Sequence, residues 1–304
     1  MALGYDRNLF ILAFDHRGSF KKKMFGISGR EATADERARL ADAKMLVWEG
    51  VEAAIERGAP TDLVGALVDE EMGAAVARRA RERGVKLAMP VESSGKDVFD
   101  FEYGEEFGDH IEAFDPHFAK VLVRWNPDDE PETKRQQGAR LRRLSDWLPE
   151  RDRKFLFELL VPASGPQLAR LGGLTSAYDT EIRPAVTLAA IEEIQDAGIE
   201  PDIWKIEGLD RRLSCELLAE LIRRDGRDGV VAVVLGRGAD DSKVGHWLEM
   251  GAGVAGYAGF AIGRTIWWDA VEGLMNATSS RQVAVDRIAD NYLNFIDIYQ
   301  KAAG

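Results

Sequence analysis

The sequence predicts an α/β protein, a single (β/α)8 TIM barrel spanning residues 1–304. Three observations predict it. Short apolar runs, each too compact for a helix, recur eight times along the chain. An amphipathic or charged stretch follows each run. The runs are near-continuously apolar, as in parallel strands covered on both faces. Eight such units in 304 residues fit a closed barrel. A doubly wound open sheet is the runner-up. No Gly-x-Gly-x-x-Gly follows the first run, however, and the eighth run stands where a closing strand belongs.

In order, the first run is Leu9–Asp15, and the helical segment Ala34–Arg57 lies beyond it. Leu63–Val68 is followed by Glu71–Gly84, and Val85–Glu92 is the third run. Phe118–Trp125 precedes the helix Glu132–Trp147, and Phe155–Val161 precedes Ala185–Gly198. Ile203–Glu207 leads into Leu213–Arg224, and Val230–Leu235 into Ser242–Gly251. Gly259–Gly263 closes the set, with a helix starting near Thr265 and a last one, about Ser280 to Ala302, that packs back on the barrel. The longest connection, Pro162–Pro184, follows the fifth strand and is rich in Gly, Pro and Ser. Loops in that position form the active-site face of a barrel, so a lid or substrate loop is expected there. No Pro- or Ser-rich linker divides the chain, and one domain is the economical reading.

Composition narrows the function classes. With 45% hydrophobic and 30% charged residues the chain is globular, neither disordered nor fibrous. A lone Cys215 forms no internal disulfide and is expected to pack inside a helix; a reducing, cytoplasmic setting is its natural home. A net charge of -12 opposes nucleic acid and anionic membranes as partners. No run of about 18 uncharged apolar residues offers a membrane span. Barrels associate through their helices, which leaves a homo-oligomer open; the sequence fixes neither number nor surface.

Both faces of a barrel strand are dry, so an ionisable residue inside an apolar run needs a partner or a purpose. Lys205 sits within Ile203–Glu207, two residues from Glu207 and on its strand face. Lys120 interrupts the fourth run and shares a face with Arg124. Glu158 interrupts the fifth, Glu92 ends the third, and Asp15 with His16 and Arg17 ends the first. Buried ion pairs would explain any one of these. Convergence on one pocket at the strands' C-terminal ends explains the set. Desolvation and a neighbouring ammonium both favour a neutral lysine, and a neutral amine attacks ketones. Lys205 beside Lys120 is thus a candidate Schiff-base nucleophile, with Glu158, Glu92 or Asp15 as proton carriers.

The last two strands add a second clue. Leu235-Gly236-Arg237-Gly238 follows the seventh, and Gly259-Phe-Ala-Ile-Gly263-Arg264 runs through the eighth. Glycines there let backbone N–H groups approach a phosphate, the helix from Thr265 adds its N-terminal partial charge, and Arg237 or Arg264 supplies a bidentate contact. The histidines His16, His110, His117 and His246 make no compact metal-ligand pattern, and His110 and His117 fall in a loop before the fourth strand, at the wrong end for a site. Lys21–Lys23 reads as a solvated loop face rather than an attractor of anionic substrate, and the tryptophans, Trp267 and Trp268 included, as packing.

Six phrases carry a family resemblance: Leu12-Ala-Phe-Asp-His-Arg-Gly18, Leu67-Val-Asp-Glu-Glu-Met-Gly73, Lys120-Val-Leu-Val-Arg124, Phe155-Leu-Phe-Glu158, Asp202-Ile-Trp-Lys-Ile-Glu207 and Gly263-Arg-Thr-Ile-Trp267. Together they resemble the class I, Schiff-base aldolases of the tagatose-bisphosphate type. The likeness is closer to the aldolase-like domain that some bacteria carry behind the sugar kinase of myo-inositol catabolism. The resemblance implies that Lys205 forms the imine, Lys120 is the second active-site lysine and Glu158 the acid/base group. It sets Asp15 and His16 against substrate hydroxyls and the phosphate at Gly236, Gly238, Gly263 and Arg264. Two positions depart from the tagatose enzymes, His16 for an amide and Arg124 for an aromatic.

The expected reaction is retro-aldol cleavage of a phosphorylated keto-sugar or keto-sugar acid, with no metal or other cofactor. The inositol-pathway likeness points to 2-deoxy-5-keto-gluconate 6-phosphate, giving dihydroxyacetone phosphate and malonate semialdehyde. Alternatives are a tagatose, fructose or sulfosugar phosphate as substrate, a metal-dependent aldolase, a phosphosugar isomerase or epimerase, and a non-catalytic barrel that senses phosphosugars.

Overall fold

The computed structural model describes residues 2–304. Eight strands close a barrel in sequence order: β1 (Leu9–Ala13), β2 (Val64–Leu67), β3 (Lys86–Pro90), β4 (Phe118–Arg124), β5 (Lys154–Leu160), β6 (Ile203–Glu207), β7 (Val231–Leu235) and β8 (Tyr257–Ile262). All neighbours are parallel, and β8 pairs back to β1 through Ile11 and Ala261. The architecture is a single (β/α)8 TIM barrel, as the apolar runs predict.

The helices follow in chain order as α1 (Gly18–Phe25), α2 (Ala34–Glu56), α3 (Glu70–Glu82), α4 (Phe107–Phe114), α5 (Pro131–Trp147), α6 (Gly165–Arg170), α7 (Thr175–Ala177), α8 (Arg183–Asp196), α9 (Arg212–Ile222), α10 (Asp241–Gly251), α11 (Arg264–Met275) and α12 (Arg281–Ala303). Three segments expected as loops are helical instead. Lys21–Lys23 lie on α1, where Lys21 pairs with Glu71 at 2.8 Å, and His110 lies on α4. Segment 162–184 is built of α6, α7 and a wide helical turn, Tyr178–Ile182. Local caps explain several boundaries. Thr33 and Glu36 form a capping box that starts α2, and the Asp69 side chain accepts from the Met72 N–H to start α3.

Strand alternation divides the core in two. Leu9, Ile11, Phe118, Leu156, Ile203, Val233 and Ala261 fill the barrel interior. Their neighbours Phe10, Leu12, Ala119, Phe157, Trp204 and Phe260 face the helices. The interior is therefore packed, and a polar layer lies further along several of the strands. α12 packs against α2 and donates a Tyr292 hydroxyl to the Phe10 carbonyl at 2.5 Å. Cys215 is buried on α9, where burial pushes its thiol up to about 11.

β8 begins two residues earlier than its sequence signal and contains a bulge. Ala232 pairs with Tyr257 and Val234 with Phe260, so β8 spends one extra residue. Gly259 takes it up at φ +135°, where a Cβ would lie 2.1 Å from the Leu9 carbonyl oxygen.

Candidate active site

Two residues on from the interior layer, four strands carry charge on the same face. Beyond Phe118 comes Lys120, beyond Leu156 Glu158, beyond Ile203 Lys205, and beyond Ala13 Asp15. Register completes the convergence, since Glu158 stands directly opposite Lys205 across β5 and β6. A cavity of about 450 Å³ opens there at the strands' C-terminal ends. Its walls include Asp15, His16, Arg17, Glu92, Lys120, Arg124, Glu158, Lys205, Arg237, Gly238, Gly263 and Arg264.

Lys120 is 1% exposed and is ringed by three carboxylates: Glu92 Oε1 at 2.8 Å, Asp15 Oδ2 at 2.9 Å and Glu158 Oε2 at 3.0 Å. The same Oε2 of Glu158 accepts from Lys205 Nζ at 2.9 Å. Burial works to neutralise Lys120, but the three carboxylates outweigh it and raise its pKa. Burial likewise pushes the carboxylates up, and for Asp15 and Glu158 the two lysines win and hold them below the ordinary range. Glu92 goes the other way: burial raises it despite Lys120 and Arg17. The lysine ammonium occupies the point on which the carboxylates converge, and among the described residues no group of His, Cys, Asp or Glu is arranged to hold a metal ion.

Arg17 fixes Glu92 by donating to its backbone carbonyl at 2.7 Å and its carboxylate at 3.3 Å, and it reaches Glu102 at 3.3 Å. His16 sits edge-on to Trp267, with ring centroids 5.7 Å apart, and its buried Nδ1 has no hydrogen-bond partner. Burial, opposed by Asp15 and reinforced by Lys44, lowers its pKa to about 4. Among the described residues Arg124, at the far end of β4, donates only to the Lys96 carbonyl at 2.9 Å, and its nearest carboxylate, Asp97, is 4.0 Å away.

At the β7 and β8 ends, Gly238, Gly263 and Arg264 line the cavity, and Arg264 donates to the Arg237 carbonyl at 3.4 Å. Gly236 does not line it; this glycine packs behind, toward Ile262 and Val244. Glu207 is also absent from the walls. It lies under Arg237, bonded to Arg237 Nε at 2.9 Å and to the Val161 N–H at 3.2 Å. Arg237 further holds Asp179 at 2.6 Å, which ties segment 162–184 to the rim; no residue of that segment lines the cavity itself.

Sequence reasoning passed over Ser93, Ser94, Gly95 and Lys96, which also wall the cavity. Their small, polar Ser-Ser-Gly-Lys string directly after Glu92 is a readable signal. It also passed over Lys44, whose place on the buried stripe of Leu40, Val47 and Val51 could have marked it.

A larger hollow of about 890 Å³ opens at the opposite mouth, beside Ala2–Asp6 and the starts of β4, β5 and β7. Of its cations, Arg81 and Arg153 are paired with Asp115 and Lys154 with Asp202. His117 lies at this end, as its place before β4 predicts, with a pKa lowered to about 4 by burial and by Lys86 and Arg81. His110 pairs instead with Glu70 at 2.8 Å. No helix among the described residues is long and apolar enough to cross a membrane.

Comparison with known proteins adds two positive findings. The chain is similar in fold to the solved structure of Cgl0159 from Corynebacterium glutamicum (Brevibacterium flavum). The TM-score is 0.56 at 16% identity, over 97% of this chain and 88% of that one. No curated protein matches the sequence. The family model described as "Uncharacterized protein conserved in bacteria (DUF2090)" matches residues 4–303, and the chain belongs to that family.

Proposed function

We propose that this barrel is a class I aldolase, a carbon–carbon lyase that cleaves a phosphorylated keto-sugar or keto-sugar acid through a lysine imine. The observation that carries the reading is the Glu158 carboxylate held between Lys205 and Lys120 at the barrel mouth. When a ketone enters, Lys205 passes a proton to Glu158 and its free amine attacks the carbonyl carbon. Loss of water gives the iminium. A carboxylate then removes the β-hydroxyl proton, the C–C bond breaks, and its electron pair moves toward the iminium nitrogen. The aldehyde leaves an enamine, which is protonated at carbon. One water hydrolyses the resulting imine, matching the water lost earlier and restoring the amine.

In this reading Lys120 remains an ammonium that fixes Asp15 and Glu92 toward the substrate hydroxyls. Gly238, Gly263 and Arg264 take the phosphate, where backbone N–H groups and the start of α11 favour an anion. The specific candidate is 2-deoxy-5-keto-gluconate 6-phosphate, cleaved to dihydroxyacetone phosphate and malonate semialdehyde. A coupled assay that oxidises NADH as triose phosphate appears tests it. Lys205-dependent NADH loss supports the reading. Substrate interconverted without triose phosphate would replace cleavage by isomerisation or epimerisation.

A further inference from the structure

Besides Lys120 and Lys205, a third lysine is buried, outside the cavity walls. Lys44 belongs to α2 and is 2% exposed, with its Nζ 4.9 Å from the Phe20 ring centroid. The carbonyls it meets are those on either side of Asp15. β1 ends at Ala13; the Phe14 N–H still donates to the Leu67 carbonyl at 2.8 Å, but no strand lies alongside to receive the residues beyond it. Lys44 Nζ supplies the missing donors, to the carbonyls of Phe14 and of His16, the latter at 2.9 Å.

The ammonium nitrogen also lies 2.7 Å from Asp69 Oδ1, an ion pair off the hydrogen-bond direction. The other Asp69 oxygen accepts the Met72 N–H at 2.8 Å, so the pair is anchored to the start of α3. From the other side, Trp267 Nε1 donates to the Ala13 carbonyl at 3.0 Å. The backbone is thus held before and after Asp15, whose side chain turns inward to Lys120. An apolar side chain would pack this space without the cost of burying an ammonium, so the charge marks a task other than packing.

We propose that Lys44, tied to Asp69, is a positioning residue that fixes the Asp15 carboxylate against Lys120. The anchoring stands by itself, and only its effect on turnover rests on the aldolase reading. The first test is the titration of the Asp15 carboxyl by ¹³C NMR in the full chain, with and without Lys44→Met. The strongest charges on Asp15 are Lys120, Lys205 and His16, and Lys44 bears on His16 in turn, so the comparison is made in a His16→Gln background, where a change on removing Lys44 reports displacement. The expected result is a rise in Asp15 proton affinity of about tenfold or more. An unchanged titration in the folded variant overturns the proposal.

The second test is kinetic. Lys44→Met should lower kcat about tenfold or more while borohydride still traps Lys205, and the double variant with Asp15→Asn should be no slower than Asp15→Asn alone. Multiplying effects overturn the proposal. If wild type forms no adduct, the aldolase reading fails while the NMR result still decides the anchoring. Should Lys44→Met not fold, Asp69→Asn removes only the ion pair, and an Asp15 titration left unmoved by it has the same overturning force.

Discussion

Glu158 and Lys205 stand at one register of β5 and β6, with carboxylate oxygen and amine nitrogen 2.9 Å apart. That oxygen also lies 3.0 Å from the Lys120 amine, so a single carboxylate oxygen serves two buried lysines at the barrel mouth. The arrangement gives Lys205 a proton acceptor within reach and leaves Lys120 two further carboxylates to hold.

Glu158→Gln keeps the shape and removes the acceptor. Turnover should fall by about 10²-fold or more, the usual contribution of a general acid–base group. Steady-state assays of triose-phosphate release check this, and an unchanged kcat would assign the proton to another group.

Lys120→Met leaves Asp15, Glu92 and Glu158 buried without their shared cation. Removing one partner of a buried ionic network costs about 3–5 kcal/mol, so urea unfolding at pH 7 should lose stability on that scale. A loss below about 1 kcal/mol would mean the carboxylates are satisfied by something else.

Stability should fall as the pH drops from about 6.5 to 4. The folded pKa of His16 is lowered to about 4, so in that window the unfolded chain takes up a proton that the folded one refuses. His117 acts in the same direction. Asp15 and Glu158, also held low, contribute stability that is fully present above the unfolded carboxylate range and is lost as pH falls below it. Glu92, raised by burial, opposes this, because acid relieves its buried charge. Urea midpoints at pH 7 and pH 5 should therefore differ less in His16→Gln than in wild type, and an equal difference would refute the assignment.

Arg264→Ala should weaken inorganic phosphate binding by about 10- to 100-fold, the range of a lost charge-assisted hydrogen bond. Arg237→Ala should cost less, because its guanidinium is already engaged by Glu207 and Asp179. Calorimetric titration of both variants decides, and the reverse order would put the anion on Arg237.

The barrel was legible because its strands are compact apolar runs with period-two faces. The same parity placed Lys120, Glu158, Lys205 and Asp15 on one interior face. Parity also explains the misplacement of Gly236, which falls one residue out of phase with Leu235 and Arg237 and so points to the helix layer. Glu207 is in phase, yet it is claimed by Arg237 and the Val161 N–H, partners no strand pattern reveals. The β8 bulge, the helical turns within 162–184 and the reach of Lys44 to two carbonyls all depend on tertiary packing. None has a local period.

The most direct test of the central claim is intact-protein and peptide mass spectrometry after borohydride reduction with dihydroxyacetone phosphate, comparing wild type with Lys205→Ala. The account predicts one irreversible adduct, mapped to Lys205 and absent from the variant. A folded wild-type protein that gains no mass, or an adduct on another lysine, would contradict it.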